Sequence, residues 1–283
     1  MYKILDGKKI AAELRVKIRA DVSEFKKNTG KDIGLAVVLV GNNQASQIYV
    51  RNKIKACEEI GIKSYAYYLP EETLQKDLNT LLIELAGDDN VNGILVQLPL
   101  PQHLDSDEAL KLIPESKDVD GFSANSIGNL CLGTESLVAC TPNGVMKILE
   151  YENINLSGKN AVVVGRSNIV GKPMAMLLLN ANATVTVCHS RTRNLKEHCL
   201  NADIIVAAVG KAKLITVDMI KDGAVVIDVG MNKDEHGKLC GDVDFENVKE
   251  KCSYITPVPG GVGPMTITML MYNTYISALR SAN

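Results

Sequence analysis

Short, continuous apolar runs separated by amphipathic segments constrain the fold of this chain more than any other feature of its sequence. The runs are GLAVVLV (34–40), GILVQL (93–98), NAVVV (160–164), ADIIVAAV (202–209) and AVVIDV (224–229). Strands of this kind are buried on both faces, as in a parallel sheet covered by helices. The segments between them, such as Lys8–Lys27 and Val170–Leu179, have the period of amphipathic helices. The sequence therefore predicts an α/β fold.

This alternation of strands and helices forms two blocks, which predict two domains. The first block occupies residues 1–140, and the second begins at CTPNG (140–144) and runs to residue 264. A chain of 283 residues is long enough for two domains of ordinary size. A last helix, from about Pro264 to Arg280, follows a glycine-rich loop, and we expect residues 265–283 to pack back on the first domain.

Composition excludes several classes of partner and site. The net charge is −2 without a basic block, so neither nucleic acid nor a membrane surface is expected as the main partner. The longest apolar run, Ile33–Val40, is far too short to span a bilayer, and no signal peptide is recognisable. The seven cysteines form no C-x-x-C pair and the four histidines do not cluster, so no metal site is expected. These features predict a cytoplasmic protein with reduced thiols.

One lysine lies on the apolar side of a predicted helix. The apolar arc of QIYVRNKIKACEEI (47–60) consists of Tyr49, Val50, Ala56, Cys57 and Ile60. Lys53 projects from the middle of this arc, one turn after Tyr49. A lysine in such a position can extend along apolar surface and place its ammonium group in water. Alternatively, the arc lines a cleft, where desolvation lowers the pKa of a lysine and suits it to acid–base chemistry. The helix alone leaves both alternatives open.

The segment VVVGRSNIVGKP (162–173) joins a buried strand to a helix through Gly165, Ser167 and Gly171. Such a turn lets backbone N–H groups and a helix N-terminus approach a phosphate. The spacing departs from G-x-G-x-x-G, because serine replaces the second glycine and the third comes one position late. A tight turn without a ligand therefore stays open beside the prediction of a Rossmann-type nucleotide site.

The strand after this turn favours NADP over NAD. An NAD-binding unit usually places Asp or Glu near the end of that strand, on the ribose 2′-hydroxyl. Here the strand ends VTVCHSRTR (185–193), with Ser190, Arg191 and Arg193 and no carboxylate, and Arg166 lies in the preceding turn. Cations and a hydroxyl suit a 2′-phosphate. Ordinary surface charge is the alternative explanation of Arg191 and Arg193.

Three other segments place polar or glycine-rich chain at the ends of predicted elements. Gln97 ends a buried strand, where ligands of parallel sheets gather, and its amide can both donate and accept. SKDVDGF (116–122) places Asp118 and Asp120 in a turn, which either aspartate could simply stabilise. TPVPGGVGPMT (256–266) would provide rigid, close-approaching backbone at a cleft, although a structural turn explains much of it.

Five ordered motifs resemble the bifunctional methylenetetrahydrofolate dehydrogenase/methenyltetrahydrofolate cyclohydrolase family. They are YVRNK (49–53), VQLPLP (96–101), KDVDGF (117–122), GRSNIVGKP (165–173) and TPVPGGVGPMT (256–266). The resemblance runs from LDGK (5–8) to the last helix and so covers essentially the whole chain. The short bacterial-type form is expected, without the formyltetrahydrofolate synthetase domain of some eukaryotic relatives.

This resemblance implies two reactions and a domain plan. NADP takes a hydride from 5,10-methylenetetrahydrofolate, and the methenyl product is hydrolysed to 10-formyltetrahydrofolate. Residues 1–140, with 265–283 returning to them, would form an N-terminal α/β catalytic domain that binds folate. Residues 141–264 would form a Rossmann-type NADP-binding domain, and the two domains would border a cleft. A homodimer through the cofactor domain is expected from the family alone.

Matching motif to motif, the resemblance also implies site residues. Lys53 is the catalytic lysine, Gln97 tunes it, Tyr49 packs on the folate and Asp120 binds the pterin. The other implied substrate contacts are Val96, Leu98, Pro259, Gly260, Gly261, Val262 and Gly263. The implied cofactor contacts are Gly165, Arg166, Ser167, Ser190, Arg191 and Met231.

Other functions stay open at this stage. An NADP-dependent dehydrogenase of another small substrate has no need for Tyr49, Gln97 and Asp120 in a pterin-sized pocket. A non-catalytic folate- or NADP-binding protein has no need for Lys53. A dehydrogenase that lacks the cyclohydrolase activity is a third alternative.

Overall fold

The computed structural model describes residues 1–282, apart from the side chain at position 45, and it forms two compact units. The three-stranded unit comprises Glu13–Cys140 together with the chain from Ile267 onward. The six-stranded unit comprises Met1–Ala12 and Thr141–Thr266. The C-terminal helix thus returns to the unit formed by the first half of the chain.

The described residues form eleven strands and ten α-helices. The strands are β1 (Lys3–Ile4), β2 (Gly34–Val40), β3 (Lys63–Leu69), β4 (Gly93–Val96), β5 (Asn160–Val164), β6 (Thr184–Cys188), β7 (Ile204–Ala207), β8 (Ala224–Asp228), β9 (Asn232–Lys233), β10 (Leu239–Cys240) and β11 (Cys252–Ile255). The helices are α1 (Gly7–Thr29), α2 (Gln44–Ile60), α3 (Gln75–Gly87), α4 (Ser106–Lys111), α5 (Ala124–Leu132), α6 (Cys140–Tyr151), α7 (Gly171–Asn180), α8 (Leu195–Leu200), α9 (Phe245–Val248) and α10 (Val262–Ala282). Across residues 1–282, none of these helices has the length and apolar character needed to cross a membrane.

The three-stranded unit is built on a parallel sheet in the order β3-β2-β4. All seven residues of the central strand β2 are buried, as its continuous apolar sequence predicts. Leu35, Val37 and Leu39 face a core that includes side chains of α1, α2 and α10. Alternate residues of the same strand face a second core that includes α3. Helices therefore cover both faces of this sheet.

The six-stranded unit contains a parallel sheet in the order β1-β11-β8-β7-β5-β6. The carboxyl ends of four strands lie at one edge, because Val164 pairs with Cys188 and Ala207, and Ala207 pairs with Asp228. The residues that follow β5, β6, β7 and β8 therefore emerge side by side. Ligands of parallel α/β sheets bind at this edge.

The first twelve residues differ from the sequence-based assignment, which placed them in the first domain. Strand β1 pairs with β11, with Lys3 opposite Tyr254 and Ile4 opposite Ile255. The N–H of Leu5 also donates to the carbonyl of Ile255 at 2.9 Å. This edge strand has only two residues, so it leaves no apolar run from which the sequence could predict it.

Helix α2 begins and ends at sequence signals. Asn43 caps it by accepting a hydrogen bond from the N–H of Ser46 at 3.1 Å. Gly61 ends it in the left-handed conformation, with φ of 90°, which glycine adopts without strain. The predicted apolar arc is buried at four of its five positions, whereas Tyr49 is 37% exposed and Lys53 is half-buried. Tyr49 and Lys53 therefore reach outside the core, whereas Val50 between them stays within it.

Candidate active site

Lys53 and Gln97 are joined by a hydrogen bond in the three-stranded unit. The Nζ of Lys53, on α2, donates to the Oε1 of Gln97 at 2.9 Å, and the Nε2 of Gln97 donates to the carbonyl of Leu98 at 2.7 Å. An ammonium group has only donors, so the amide oxygen must face it. The bond to Leu98 holds the amide in that orientation. Gln97 is thus a fixed acceptor for Lys53.

The end of strand β4 determines where Gln97 lies. Val96 pairs with Val38, and the N–H of Gln97 donates to the Val38 carbonyl at 2.8 Å. Val96 is 3% exposed and packs in the core, so of these two residues Gln97 is the one that can reach a ligand. Leu98 is half-buried and precedes a cis peptide bond to Pro99. The chain therefore presents Gln97 at the carboxyl end of the sheet.

Asp118 and Asp120 have different roles within one turn. Asp118 is buried and accepts hydrogen bonds from the N–H groups of Gly121, Phe122 and Ser123 and from the hydroxyl of Ser126. These bonds make Asp118 the residue that stabilises the turn. The carboxylate of Asp120 is outside this network. Of the two aspartates, it is the one available to a ligand.

The electrostatic environment of Asp120 links it to Lys53. Burial raises the pKa of Asp120 to about 6, while the positive charge of Lys53 lowers it and the negative charge of Asp118 raises it further. Tyr49 lies four residues before Lys53 on α2, so both side chains are on the same helix face. Burial also raises the pKa of the Tyr49 hydroxyl. The four predicted catalytic residues, Tyr49, Lys53, Gln97 and Asp120, thus lie in one unit, and each of the other three is linked to Lys53.

A second cluster follows β5 in the six-stranded unit. Gly165 has φ of 133°, and a Cβ there would lie 2.2 Å from the carbonyl oxygen of Ala208. A Cβ at Gly171 would lie 2.3 Å from the Gly165 oxygen, so this turn requires both glycines. The Oγ of Ser167 accepts from the N–H groups of Val170 and Gly171 at 3.2 and 3.3 Å. Its own O–H is then left to donate to a phosphate.

Arg166 and Ser190 emerge at the same edge of the sheet. Val164 pairs with Cys188, and each of the two site residues lies two positions beyond that pair. Arg166, Ser190 and Arg191 are all exposed. A glycine turn, a helix N-terminus, a hydroxyl and arginine side chains are suitable donors for a nucleotide with a 2′-phosphate. The residues present therefore fit NADP.

The segment TPVPGGVGPMT (256–266) meets Met231 at its C-terminal end, in the first turn of α10. Met231 follows β8 and is 48% exposed, and a Cβ at Gly263 would lie 3.9 Å from its Cε. Gly260 has φ of 108°, and the N–H of Gly261 donates to the Pro257 carbonyl at 2.9 Å. The structure thus brings one predicted cofactor residue together with one end of the predicted substrate loop.

Within that loop, the five predicted substrate contacts differ in exposure. Pro259 and Gly263 are exposed, and Gly260 is half-buried. Gly261 is buried, and Val262 is 4% exposed. Pro259, Gly260 and Gly263 are therefore the members of this set that are open to a ligand.

Two buried aspartates that the sequence did not single out organise the same edge of the six-stranded sheet. Asp242 accepts hydrogen bonds from the N–H groups of Val209, Gly210 and Lys211 and from the Nδ2 of Asn232. Asp228 accepts from the N–H groups of Gly230, Asp242 and Val243, and burial raises its pKa to about 6. Together they fix the loops that follow β7 and β8. Of the two, only Asp228 had a signal in the sequence, which was its place at the end of the apolar run AVVID (224–228).

Among residues 1–282, no group of three His, Cys, Asp or Glu side chains could hold a metal ion.

One unit has a parallel sheet with a phosphate-binding turn, and the other carries a lysine, a glutamine and a carboxylate. Together these features define a nicotinamide-dependent enzyme of the two-domain α/β class. Comparison with protein-family models is more specific. The model described as tetrahydrofolate dehydrogenase/cyclohydrolase, catalytic domain, matches residues 5–120, and the model of the NAD(P)-binding domain matches residues 139–282. The chain belongs to the tetrahydrofolate dehydrogenase/cyclohydrolase family.

Individual relatives agree with this assignment. The chain is 59% identical to the bifunctional protein FolD of Campylobacter concisus over 278 residues, which cover 98% of this chain and 97% of the relative. The crystal structure of the bifunctional enzyme FolD, methylenetetrahydrofolate dehydrogenase/cyclohydrolase, from Campylobacter jejuni is similar, with a TM-score of 0.97, 52% identity and coverage of 99% of this chain and 100% of that chain. The Trypanosoma brucei enzyme, crystallised with NADP cofactor and an inhibitor, has a TM-score of 0.95 at 37% identity and covers 99% of this chain and 98% of that chain. The predicted family, fold class, NADP cofactor and pair of enzyme activities are confirmed by these matches.

Proposed function

We propose that one folate site in the three-stranded unit serves both reactions of this enzyme. The first is the NADP-dependent oxidation of 5,10-methylenetetrahydrofolate, and the second is the hydrolysis of the methenyl product to 10-formyltetrahydrofolate. The observation that carries this proposal is the hydrogen bond from Lys53 to Gln97, 2.9 Å long, beside the carboxylate of Asp120. A proton-transferring group and a pterin-binding group then lie in one site.

The oxidation requires mainly positioning. Bound NADP supplies the hydride acceptor. The carboxylate of Asp120 pairs with adjacent N–H donors of the pterin, and the exposed ring of Tyr49 packs on the folate. Removal of a hydride from the methylene bridge leaves the methenyl cation, so this step transfers no proton to Lys53. Correct alignment of donor and acceptor is the main contribution of the protein.

The hydrolysis requires proton transfer. Water adds to the methenyl carbon and loses a proton. The hydroxyl of this adduct then loses its proton as the formyl C=O forms, and a ring nitrogen gains a proton as its bond to that carbon breaks, so one proton is released overall. Lys53 is the residue proposed to exchange these protons. The amide oxygen of Gln97 accepts a hydrogen bond from one N–H of the lysine and so fixes the directions of its other N–H groups. A general acid–base group acts well only when it is held within hydrogen-bond reach of the reacting atoms.

One assay tests the function as a whole. The enzyme is mixed with 5,10-methylenetetrahydrofolate and NADP, and NADPH production is followed in the near ultraviolet. Decay of added methenyltetrahydrofolate is followed separately. We expect both signals, and we expect NAD to be the poorer cofactor. Absence of either signal from the folded enzyme would contradict the proposed function.

Arg166 is proposed to bind the 2′-phosphate of NADP with Ser190 and Arg191. A hydrogen bond to a charged group contributes about 1.5–3 kcal/mol, so Arg166→Ala should weaken NADP binding by about ten-fold or more. The Michaelis constant for NAD, which lacks that phosphate, should change little. Both constants are measured in the oxidation assay. Equal losses for the two cofactors would show that Arg166 does not recognise the 2′-phosphate.

Asp242 is proposed to hold the cofactor loop Val209–Lys211 in place. Asp242→Asn replaces one acceptor with a donor that faces backbone N–H groups, and leaving such buried groups unpaired costs about 1–3 kcal/mol. We expect the affinity for NADP to fall about ten-fold while folate binding is retained. Asp203→Asn is the control. Asp203 lies just before β7, at the amino ends of the strands, where it accepts hydrogen bonds from the N–H of Asn160 and the Nζ of Lys221. Equal NADP affinity in the two variants would contradict this role.

A cytoplasmic homodimer is the proposed state of the enzyme. The family supports the dimer, and β6 is an edge strand with Val187 38% exposed, which can pair with another copy. Five of the seven free cysteines are buried thiols, a state that a reducing compartment maintains. Sedimentation tests the dimer, which a monomer at micromolar concentration would contradict. Cell fractionation tests the cytoplasmic location.

A further inference from the structure

Asn273 of helix α10 connects three segments of the three-stranded unit. It is only 2% exposed. Its Nδ2 donates to the carbonyl of Val119 at 2.8 Å and to the carbonyl of Val138 at 2.9 Å, and it lies 3.6 Å from the Sγ of Cys140. Both hydrogens of one side-chain amide are therefore used on backbone carbonyls of two separate segments.

The first of these bonds acts directly on Asp120. The carbonyl of Val119 belongs to the peptide group whose nitrogen is that of Asp120, and a peptide group is planar. Fixing this carbonyl therefore fixes the orientation of the backbone on which the Asp120 side chain is mounted. The thiol of Cys140 donates to the same carbonyl at 3.3 Å. Asp118 holds the turn on the other side of Asp120 through the N–H groups that follow it.

The second bond acts on the segment that supports this turn. Gly121 has φ of 70°, and a Cβ there would lie 2.5 Å from the nitrogen of Ala139 and 2.6 Å from the carbonyl carbon of Val138. The turn therefore lies directly against residues 137–139. The bond from Asn273 to the Val138 carbonyl holds this segment in place. One amide thus fixes both the peptide before Asp120 and the surface on which its turn rests.

We propose that Asn273 is a positioning residue for the folate reactions, which holds the Asp120 carboxylate where it binds the pterin. This inference rests on the proposed role of Asp120. Loss of the amide lets the Val119–Asp120 peptide rotate, so folate binding weakens and both activities fall together. NADP binding is retained, because the bonds of Asn273 lie within the three-stranded unit.

A matched control exists one turn later on the same helix. Ser277 is also fully buried, and its hydroxyl lies within hydrogen-bond distance of the carbonyls of Asn92 and Ser116, to one of which it donates. Ser277→Ala removes a bond of this kind between α10 and the rest of this unit. Both partners precede Asp118, which keeps its own bonds to the N–H groups that follow it, so this variant measures the cost of a loosened helix while the turn at Asp120 stays anchored.

The test compares Asn273→Ala, Asn273→Ser and Ser277→Ala for thermal unfolding and for Michaelis constants. We expect Asn273→Ala to raise the constant for 5,10-methylenetetrahydrofolate about ten-fold, which corresponds to about 1.4 kcal/mol, and to leave that for NADP unchanged. Asn273→Ser keeps one donor and should be intermediate, so it serves if the alanine variant does not fold. Ser277→Ala should lower the melting temperature but leave both constants unchanged. Equal folate constants in the Asn273 and Ser277 variants would overturn the proposal.

A double-mutant cycle with Asp120→Asn separates this inference from the function on which it rests. If Asn273 acts through Asp120, adding Asn273→Ala to Asp120→Asn should weaken folate binding little further. Independent, additive losses would overturn the positioning role while leaving the role of Asp120 intact. Unchanged folate binding in Asp120→Asn alone would contradict the role of Asp120 itself.

Discussion

Replacement of Lys53 with methionine is expected to reduce cyclohydrolase turnover by at least about two orders of magnitude, since general acid–base groups contribute typically about 10²–10⁴-fold. Hydride transfer needs no proton from this lysine and should persist in part, because Tyr49, Gln97 and Asp120 still hold the folate. Methionine approximates the length and apolar contacts of the lysine stem, so the fold should survive. The methenyl intermediate should then accumulate and be visible by its near-ultraviolet absorbance.

Lys55→Met is the matched control for this experiment. Lys55 lies two residues further along α2 on its exposed face, and its replacement removes the same charge from the same helix. We expect it to leave both reactions unchanged. A Lys53→Met enzyme that binds folate and hydrolyses the methenyl compound at the original rate would show that Lys53 only extends its ammonium group to water.

Asp120→Asn should weaken folate binding by about ten-fold or more and depress both activities together, because it removes a charge-assisted contact that contributes about 1.5–3 kcal/mol. The variant keeps the size of the side chain, and the turn should survive, since Asp118 stabilises it. Binding of 5,10-methylenetetrahydrofolate and of NADP is measured separately, with exposed Asp107→Asn as the control. Normal folate binding in the folded Asp120→Asn variant would make Asp120 a turn residue only.

The pH dependence of folate binding provides a second measurement on the same variant. Burial raises the pKa of Asp120 from 3.8 to about 6, so the free enzyme loses the carboxylate form as the pH falls below about 6. If the pterin pairs with the carboxylate, affinity should fall by about ten-fold per pH unit below that value. The wild-type enzyme should show this loss between pH 7 and 5, and Asp120→Asn should not. The stability contribution has the opposite sign, since the raised pKa favours the folded state at low pH and this contribution is lost as the pH rises through about 6.

The fold was largely predictable because its strands are buried on both faces. Strand β2 reads as an unbroken apolar run for this reason, and helix α2 ends at Ile60, the last residue of the predicted helical segment 47–60. Strand β1 could not be predicted, because two edge residues have no apolar period. Periodicity placed Tyr49 and Lys53 on the apolar stripe but could not show that these two side chains reach outside the core, since that depends on what packs against the helix.

The site was predictable only in part. The position of Lys53 on the apolar face was visible in one helix, and the family resemblance supplied its partners. Asp118 and Asp120 look equivalent in sequence, and only the N–H groups around Asp118 distinguish them. Asn273 and Asp242 carried no signal, because a polar residue in a core becomes recognisable only when its partners are brought together by tertiary structure.

The link between Asn273 and Val119 has a consequence for the order in which the enzyme becomes competent during synthesis. The two residues are 154 positions apart, so the bond cannot form until α10 has been synthesised and has left the ribosome. Every proposed pterin contact in the three-stranded unit is synthesised earlier, yet the turn that carries Asp120 remains without its anchor. On the proposed role of Asn273, a nascent chain that lacks α10 would carry a folate site whose Asp120 is not yet held in place for substrate.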